Sequence, residues 1–240
     1  MSHQGNNASS KVMNKFGRNP DINAAAAEDV WDQGGTYTFD TTGINVSISS
    51  SQSGDNQSYT ISGLAPTTWA ELSETITAAG LTSQTLTNKF IRINRVKNNG
   101  SSNNAGDIYI YKTGSPITSG VPNSANQIRA KILAGNNQTL MAIYTIPGGK
   151  TGKLRSWWAS LAKRKGTTGT MLMILKRRPN GGVFQVKELL AIQANGMGYF
   201  NRVYDKNVLP LITEKTDIKI IGDTSTANIA VSAGFDIELI

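Results

Sequence analysis

Between Gln138 and Ile192 apolar side chains recur at every second position in four runs, and clusters of turn-forming residues separate the runs. The separators are Pro147-Gly148-Gly149, Lys165-Gly166-Thr167-Thr168-Gly169 and Pro179-Asn180-Gly181-Gly182. In the first run Leu140, Ala142, Tyr144 and Ile146 share a face; in the third Leu172 and Ile174 oppose Met171, Met173 and Leu175. A helix needs apolar residues three and four apart, so a period of two excludes it and predicts strands. Glycine and asparagine between strands supply the positive φ that tight turns require. The spacing therefore predicts an antiparallel meander, with Pro147-Gly148-Gly149-Lys150 as one of its hairpin turns.

The same code continues on both sides. Ile44, Val46 and Ile48 alternate with Asn45, Ser47 and Ser49, and Ile218 pairs with Ile220. From Ile229 to Leu239 the odd positions Ile229, Val231, Ala233, Phe235, Ile237 and Leu239 are apolar, which predicts a half-buried closing strand. Residues 69–79 fit a helical stripe through Trp69, Leu72 and Ile76, but alternation and threonine content favour a strand. Low charge beside many Ser, Thr, Asn and Gly matches strands joined by polar turns better than disorder, which brings high net charge. With 240 residues there is enough chain for one well-filled core. The expected fold is all-β, an antiparallel jelly-roll-like β-sandwich over residues 35–240, preceded by an extended N-terminal arm over residues 1–34. That arm is apolar only at a few points, so it is expected either to be disordered or to lie along a neighbouring subunit, with Phe16, Val30 and Trp31 as its anchors.

Several chemistries lack their residues. There is no cysteine, and the single histidine is His3, so disulfides, thiolate catalysis, a histidine triad and a Cys/His metal site cannot be assembled. Sixteen Asp and Glu leave carboxylate pairs such as Glu71 with Glu74 or Asp236 with Glu238, but these read as solvated strand faces rather than a glycosidase pair. Gly149-Lys150-Thr151 resembles the end of a phosphate-binding loop, yet Tyr144 stands where the first glycine of that motif belongs. No stretch has the apolar length of a signal peptide or a membrane span, so an intracellularly made chain without a membrane partner is expected. The expectation is of no enzyme activity, no cofactor, no metal and no small-molecule substrate.

What remains is cationic. The formal net charge is +8. Lys163, Arg164 and Lys165 read as one hairpin tip and Lys176, Arg177 and Arg178 as the end of the neighbouring strand, which a meander would merge into a single patch. Counting alternation from Leu154 puts Trp158 inside and leaves Trp157 as the aromatic beside that patch. Basic residues near an aromatic suit a solvated rim, an acidic protein surface or single-stranded nucleic acid, the last being the least favoured partner here.

The segments Lys15-Phe16-Gly17-Arg18-Asn19-Pro20-Asp21-Ile22 and Glu28-Asp29-Val30-Trp31-Asp32-Gln33-Gly34-Gly35-Thr36-Tyr37 resemble virion structural proteins of tailed bacteriophages, many of them marine. The resemblance continues through Phe90-Ile91-Arg92-Ile93-Asn94-Arg95 and Tyr144-Thr145-Ile146-Pro147-Gly148-Gly149-Lys150 to Glu214-Lys215-Thr216-Asp217-Ile218. It implies an all-β virion component without enzyme activity. The expected role is a capsid decoration, or cement, protein that binds the major capsid protein as a homo-oligomer, a trimer. Its expected interaction residues are Phe16, Arg18, Val30, Trp31, Trp157 and the two basic clusters. The alternative is a tail or head fibre module that stacks host glycan on Trp157, Tyr109 and Tyr111.

Overall fold

A computed structural model describes residues 10–163 and 168–240. Among the described residues every named strand pairing is antiparallel, and the one helical element is a single 3-10 turn at Ala125–Gln127. The fold is all-β and sandwich-like, as the alternation predicts.

The principal sandwich is one long sheet bent into two layers. The first layer runs Lys11–Ile22, Ile229–Leu239, Gly152–Lys163 and Met197–Val203; the second runs Gln185–Asn195, Thr168–Arg178, Asp217–Asp223 and Ile143–Thr145. A single pair, Asn195 with Met197, joins them across Gly196, whose φ of 89° bends the chain back on itself. The core fills the space between: Leu154, Trp157, Phe235 and Ile237 from the first layer meet Met173, Leu175, Ile218 and Ile220 from the second. All six odd positions of the closing strand are buried there, as its alternation requires.

A simple meander is not what forms. Strand Gly152–Lys163 does not pair with Thr168–Arg178, its successor; it pairs with Met197–Val203, so three consecutive strands return beside the first. This is a Greek key, the connectivity of jelly rolls. Turn residues fix where a strand ends but not which strand it next touches. Likewise Pro147–Lys150 is a turn, with Lys150 donating to the Pro147 carbonyl at 3.3 Å, but the strands on its two sides pair elsewhere.

Strands between residues 44 and 132 build a second layered unit with its own core. Ile128–Ile132, Ile108–Lys112, Ile44–Ser50 and Gln84–Phe90 form one sheet, and Glu71–Thr77, Ser58–Leu64 and Arg92–Asn98 the other. Val46, Ile48, Tyr59, Ile61, Val96 and Ile108 lie between them, fully buried. A smaller cluster containing Trp31, Tyr37, Tyr109, Tyr111 and Met141 joins the two units.

Residues 11–22 are a strand of the chain's own sheet, not an arm reaching a neighbour. They pair with the closing strand from Lys11↔Leu239 to Ile22↔Ile229. Their inward residues include Lys15, Gly17 and Asn19, which is why no apolar alternation betrays the strand. Gly17 is required by close approach: a Cβ there would stand 2.3 Å from both the Ala142 nitrogen and the Val30 carbonyl oxygen. The first strand thus closes over the backbone at residues 141–142, on the side of the sandwich opposite Gly196.

Candidate protein-binding face

The expected interaction residues divide sharply on burial. Val30 is wholly buried in the principal core, its N–H donating to Ile220 and its carbonyl accepting from Ala142. Trp31 is buried against Tyr37, ring centroids 5.0 Å apart, and cannot anchor the chain to a neighbour. Trp157 is buried too, against Phe200, while Trp158 is half-exposed. That inverts the expected assignment, and the cause is local: the register shifts between Leu154 and Ser156, where Arg155 bulges out of the ladder. One extra residue moves every later side chain to the other face. The proposed glycan-stacking rings fail for the same reason of burial, since Trp157, Tyr109 and Tyr111 are all in cores.

Lys163 does not join the second basic cluster. Lys163 and Arg178 lie at opposite ends of the sandwich, because the 11-residue strand Thr168–Arg178 carries the chain roughly 35 Å away from the end where Lys163 sits. Lys163 donates to the Ala227 carbonyl; Arg164 and Lys165 lie outside the described residues. Lys176 is half-buried beside Lys219 in the sheet. Arg177 is half-buried, donating to the Leu211 carbonyl at 3.3 Å, and burial lowers its pKa. Arg178 is consumed in a buried ion cluster. The Asp217 carboxylate, fully buried, accepts from Arg178 Nη2 at 2.5 Å, from Arg92 Nε and Nη2 at 2.7 and 2.9 Å, and from Thr145 Oγ1 at 2.6 Å. Phe39 lies against both guanidinium groups, and Phe184 against that of Arg178. Because Arg92 belongs to the second unit and Asp217 to the first, the cluster fastens one to the other.

Phe16 and Arg18 are where exposure puts a surface. They stand on the solvent side of the first layer, and the strand registers order that side into rows. One row reads Phe16, Gly234, Trp158, Asn201; the next reads Arg18, Ser232, Ser160, Tyr199; a third reads Asn14, Asp236, Ser156, Val203. Gly234 leaves room that Phe16 and Trp158 fill, since a Cβ there would lie 2.9 Å from Phe16 Cβ and from Trp158 Nε1. The two acids of the face have local partners. Asp236 accepts from Asn14 and Ser156, each at 2.6 Å, and Arg155 donates to Glu238 at 2.7 Å, which holds that carboxyl below its ordinary pKa. Glu71 and Glu74, the other carboxylate pair, are engaged by Lys11 and by the backbone N–H groups of Thr87 and Asn88.

Among its polar residues the face carries several exposed large apolar side chains. Met197 is 81% exposed, Val203 72%, Tyr199 66% and Val12 57%, with Phe16 and Trp158 beside them. Isolated exposed apolar residues need no explanation, whereas a set on one side of one layer makes a candidate contact surface. The sequence carried a signal for it: in residues 197–203 both parities hold large apolar side chains, so a strand with Phe200 inside must expose the others. Among the described residues no group of three or more His, Cys, Asp or Glu could hold a metal ion, and no helix is long and apolar enough to cross a membrane.

No family model matches this chain, and no curated protein matches it. Among solved structures, the VP2 subviral particle of infectious bursal disease virus aligns over 96% of this chain and 71% of that chain, at 10% identity and a TM-score of 0.21. The structure of the Gt strain of the same virus aligns over 96% and 81%, at 9% identity and a TM-score of 0.13. These are weak likenesses to a viral capsid protein, and at such TM-scores they carry no argument about fold or role.

Proposed function

We propose that this chain is a structural protein of a virus particle, and within that class a capsid decoration protein that binds the major capsid protein and bridges its subunits. The observation that carries the reading is the set of large apolar side chains on the outer side of the first layer, Phe16, Trp158, Met197, Tyr199 and Val203, on three of its four strands. Four strands about 4.8 Å apart and seven residues long cover roughly 450 Å². A self-sufficient protein contact takes about 800 Å² from each partner. A face of half that size suits contacts that gain strength by repetition, through a homo-oligomer such as a trimer and through the many copies of a shell.

The test uses purified particles and empty shells. Hundreds of copies per particle on a gel support decoration; a handful points to a fibre or connector, and absence ends the proposal. The triple variant Met197→Lys, Tyr199→Lys and Val203→Lys should remain folded and lose shell occupancy by at least tenfold. Full occupancy by that variant removes the outer face from the mechanism.

A further inference from the structure

A groove of about 700 Å³ runs between the first strand and the second unit. Lys15 reaches into it from the first strand with only 7% of its area exposed, its ammonium donating to the Asn94 carbonyl. Arg95 lines the same groove from the second unit, donating to Gln138 Oε1 at 2.8 Å. Neither cation has a carboxylate partner among the described ion pairs, since the groove's one acidic residue, Glu71, is engaged by Lys11 at 3.1 Å. At its inner side is Tyr144, 1% exposed, whose hydroxyl has no hydrogen-bond partner. A buried polar group without a partner costs about 1–3 kcal/mol, so folds seldom retain one without a use.

We propose that this groove binds a saccharide bearing a carboxylate, with the acid group held between Lys15 and Arg95 and the ring hydroxyls on Tyr144 and its polar neighbours. The size is that of a small-ligand pocket, which spans roughly 300–1,000 Å³. The charge favours an anion, because the cations Lys11, Lys15 and Arg95 face a single carboxylate. Ser62 and Ser73 hydroxyls, 2.9 Å apart, offer the paired donors and acceptors that sugar hydroxyls match, and Leu72 and Phe16 offer apolar surface for the C–H face of a ring. Burial first, and Arg95 second, bring the Lys15 pKa down to about 7, so a bound carboxylate supplies the charge that would keep this amine protonated. The inference is independent of the assembly reading, because sugar binding and shell occupancy are measured separately and either can fail alone.

Calorimetric titration of the full chain with glucuronate, glucose, acetate and inorganic phosphate tests it. Glucuronate should bind at least tenfold more tightly than glucose or acetate. Its affinity should fall by about tenfold between pH 6 and pH 8, as the protonated fraction of an amine titrating near 7 falls. Lys15→Met should abolish that pH dependence, Tyr144→Phe should weaken glucuronate several-fold, and Arg95→Gln, at an exposed position that leaves the fold unaffected, should weaken it at least fivefold. Glucuronate binding no better than glucose overturns the proposal, as does wild-type binding that is flat with pH. Phosphate bound as tightly as glucuronate overturns the saccharide assignment.

Discussion

Replacing Asp217 with asparagine keeps the size of the side chain and removes the one negative charge shared by the buried Arg92 guanidinium and the half-buried one of Arg178. In the native fold that carboxylate takes five hydrogen bonds, two each from Arg92 and Arg178 and one from Thr145. Arg92 cannot retreat to water, since it is 5% exposed and is also held by the carbonyls of Asp40 and Ile91 at 2.6 and 2.7 Å. Asparagine would point an amide N–H₂ at one of these cations and leave the positive charge of both uncompensated. Breaking a buried pair in this way costs about 3–5 kcal/mol, a large share of the roughly 5–15 kcal/mol that holds a domain folded. With a urea dependence of about 2–3 kcal/mol per molar, the unfolding midpoint should drop by between roughly 1 and 2.5 M. Urea titration followed by tryptophan fluorescence and circular dichroism measures the drop, and the two signals should separate if the units uncouple. The combined variant Arg92→Met, Arg178→Met and Asp217→Leu should recover most of the loss, because the cost lies in orphaned charge rather than in missing attraction. A drop for Asp217→Asn below about 0.3 M would refute the assignment of Asp217 as the fastening between the units.

Other substitutions test other parts of the argument. Gly17→Val drives a side chain into the Ala142 and Val30 backbones, so it should cost about 1–3 kcal/mol or more and make residues 11–22 sensitive to protease; an unchanged digestion pattern refutes the close approach. Trp157→Ala should cost about 3–5 kcal/mol, and Trp158→Ala under about 1.5, measured by urea midpoints; equal losses would contradict the bulge at Arg155. Asp32, 4% exposed, has its pKa raised by burial from 3.8 to about 7, so its proton leaves the unfolded chain first. Stability is full on this account below pH ~4 and is lost up to pH 7 at about 1.4 kcal/mol per unit, a slope that Asp32→Asn should flatten. Lys15 acts in the other window: its pKa falls from 10.5 to about 7, so stability rises with pH between those values, and Lys15→Met should remove the rise.

Strand content and class were legible because a period of two is a local property. The closing strand reads correctly from Ile229 to Leu239, and Glu71–Thr77 is a strand despite a helical stripe through Trp69, Leu72 and Ile76. The errors lie where geometry is set by residues far apart in the chain. Residues 11–22 carry Lys15, Gly17 and Asn19 on their buried side, so their membership of the sheet depends on a partner strand at residues 229–239. Arg178 reads as a surface charge until the fold brings Asp217 and Arg92 to it. Trp157 and Trp158 exchange places because a one-residue bulge leaves no mark in composition. The outer face is half legible: Phe16 and Arg18 stand out in the sequence, whereas Met197, Tyr199 and Val203 lie in a strand whose apolar residues fall on both parities and so mark no single inward face.

Pairing the 11–22 strand with residues 229–239 also sets a timetable. Asn14 and its hydrogen-bond partner Asp236 are 222 positions apart, and at a synthesis rate of about 5–20 residues per second the first strand waits between roughly 10 and 45 seconds for its mate. During that wait the strands between 44 and 132 already have every sheet partner they need and can fold on the ribosome. Until residues 229–239 emerge, the first strand is an unpaired edge, the kind of element that another chain can match in place of its own partner.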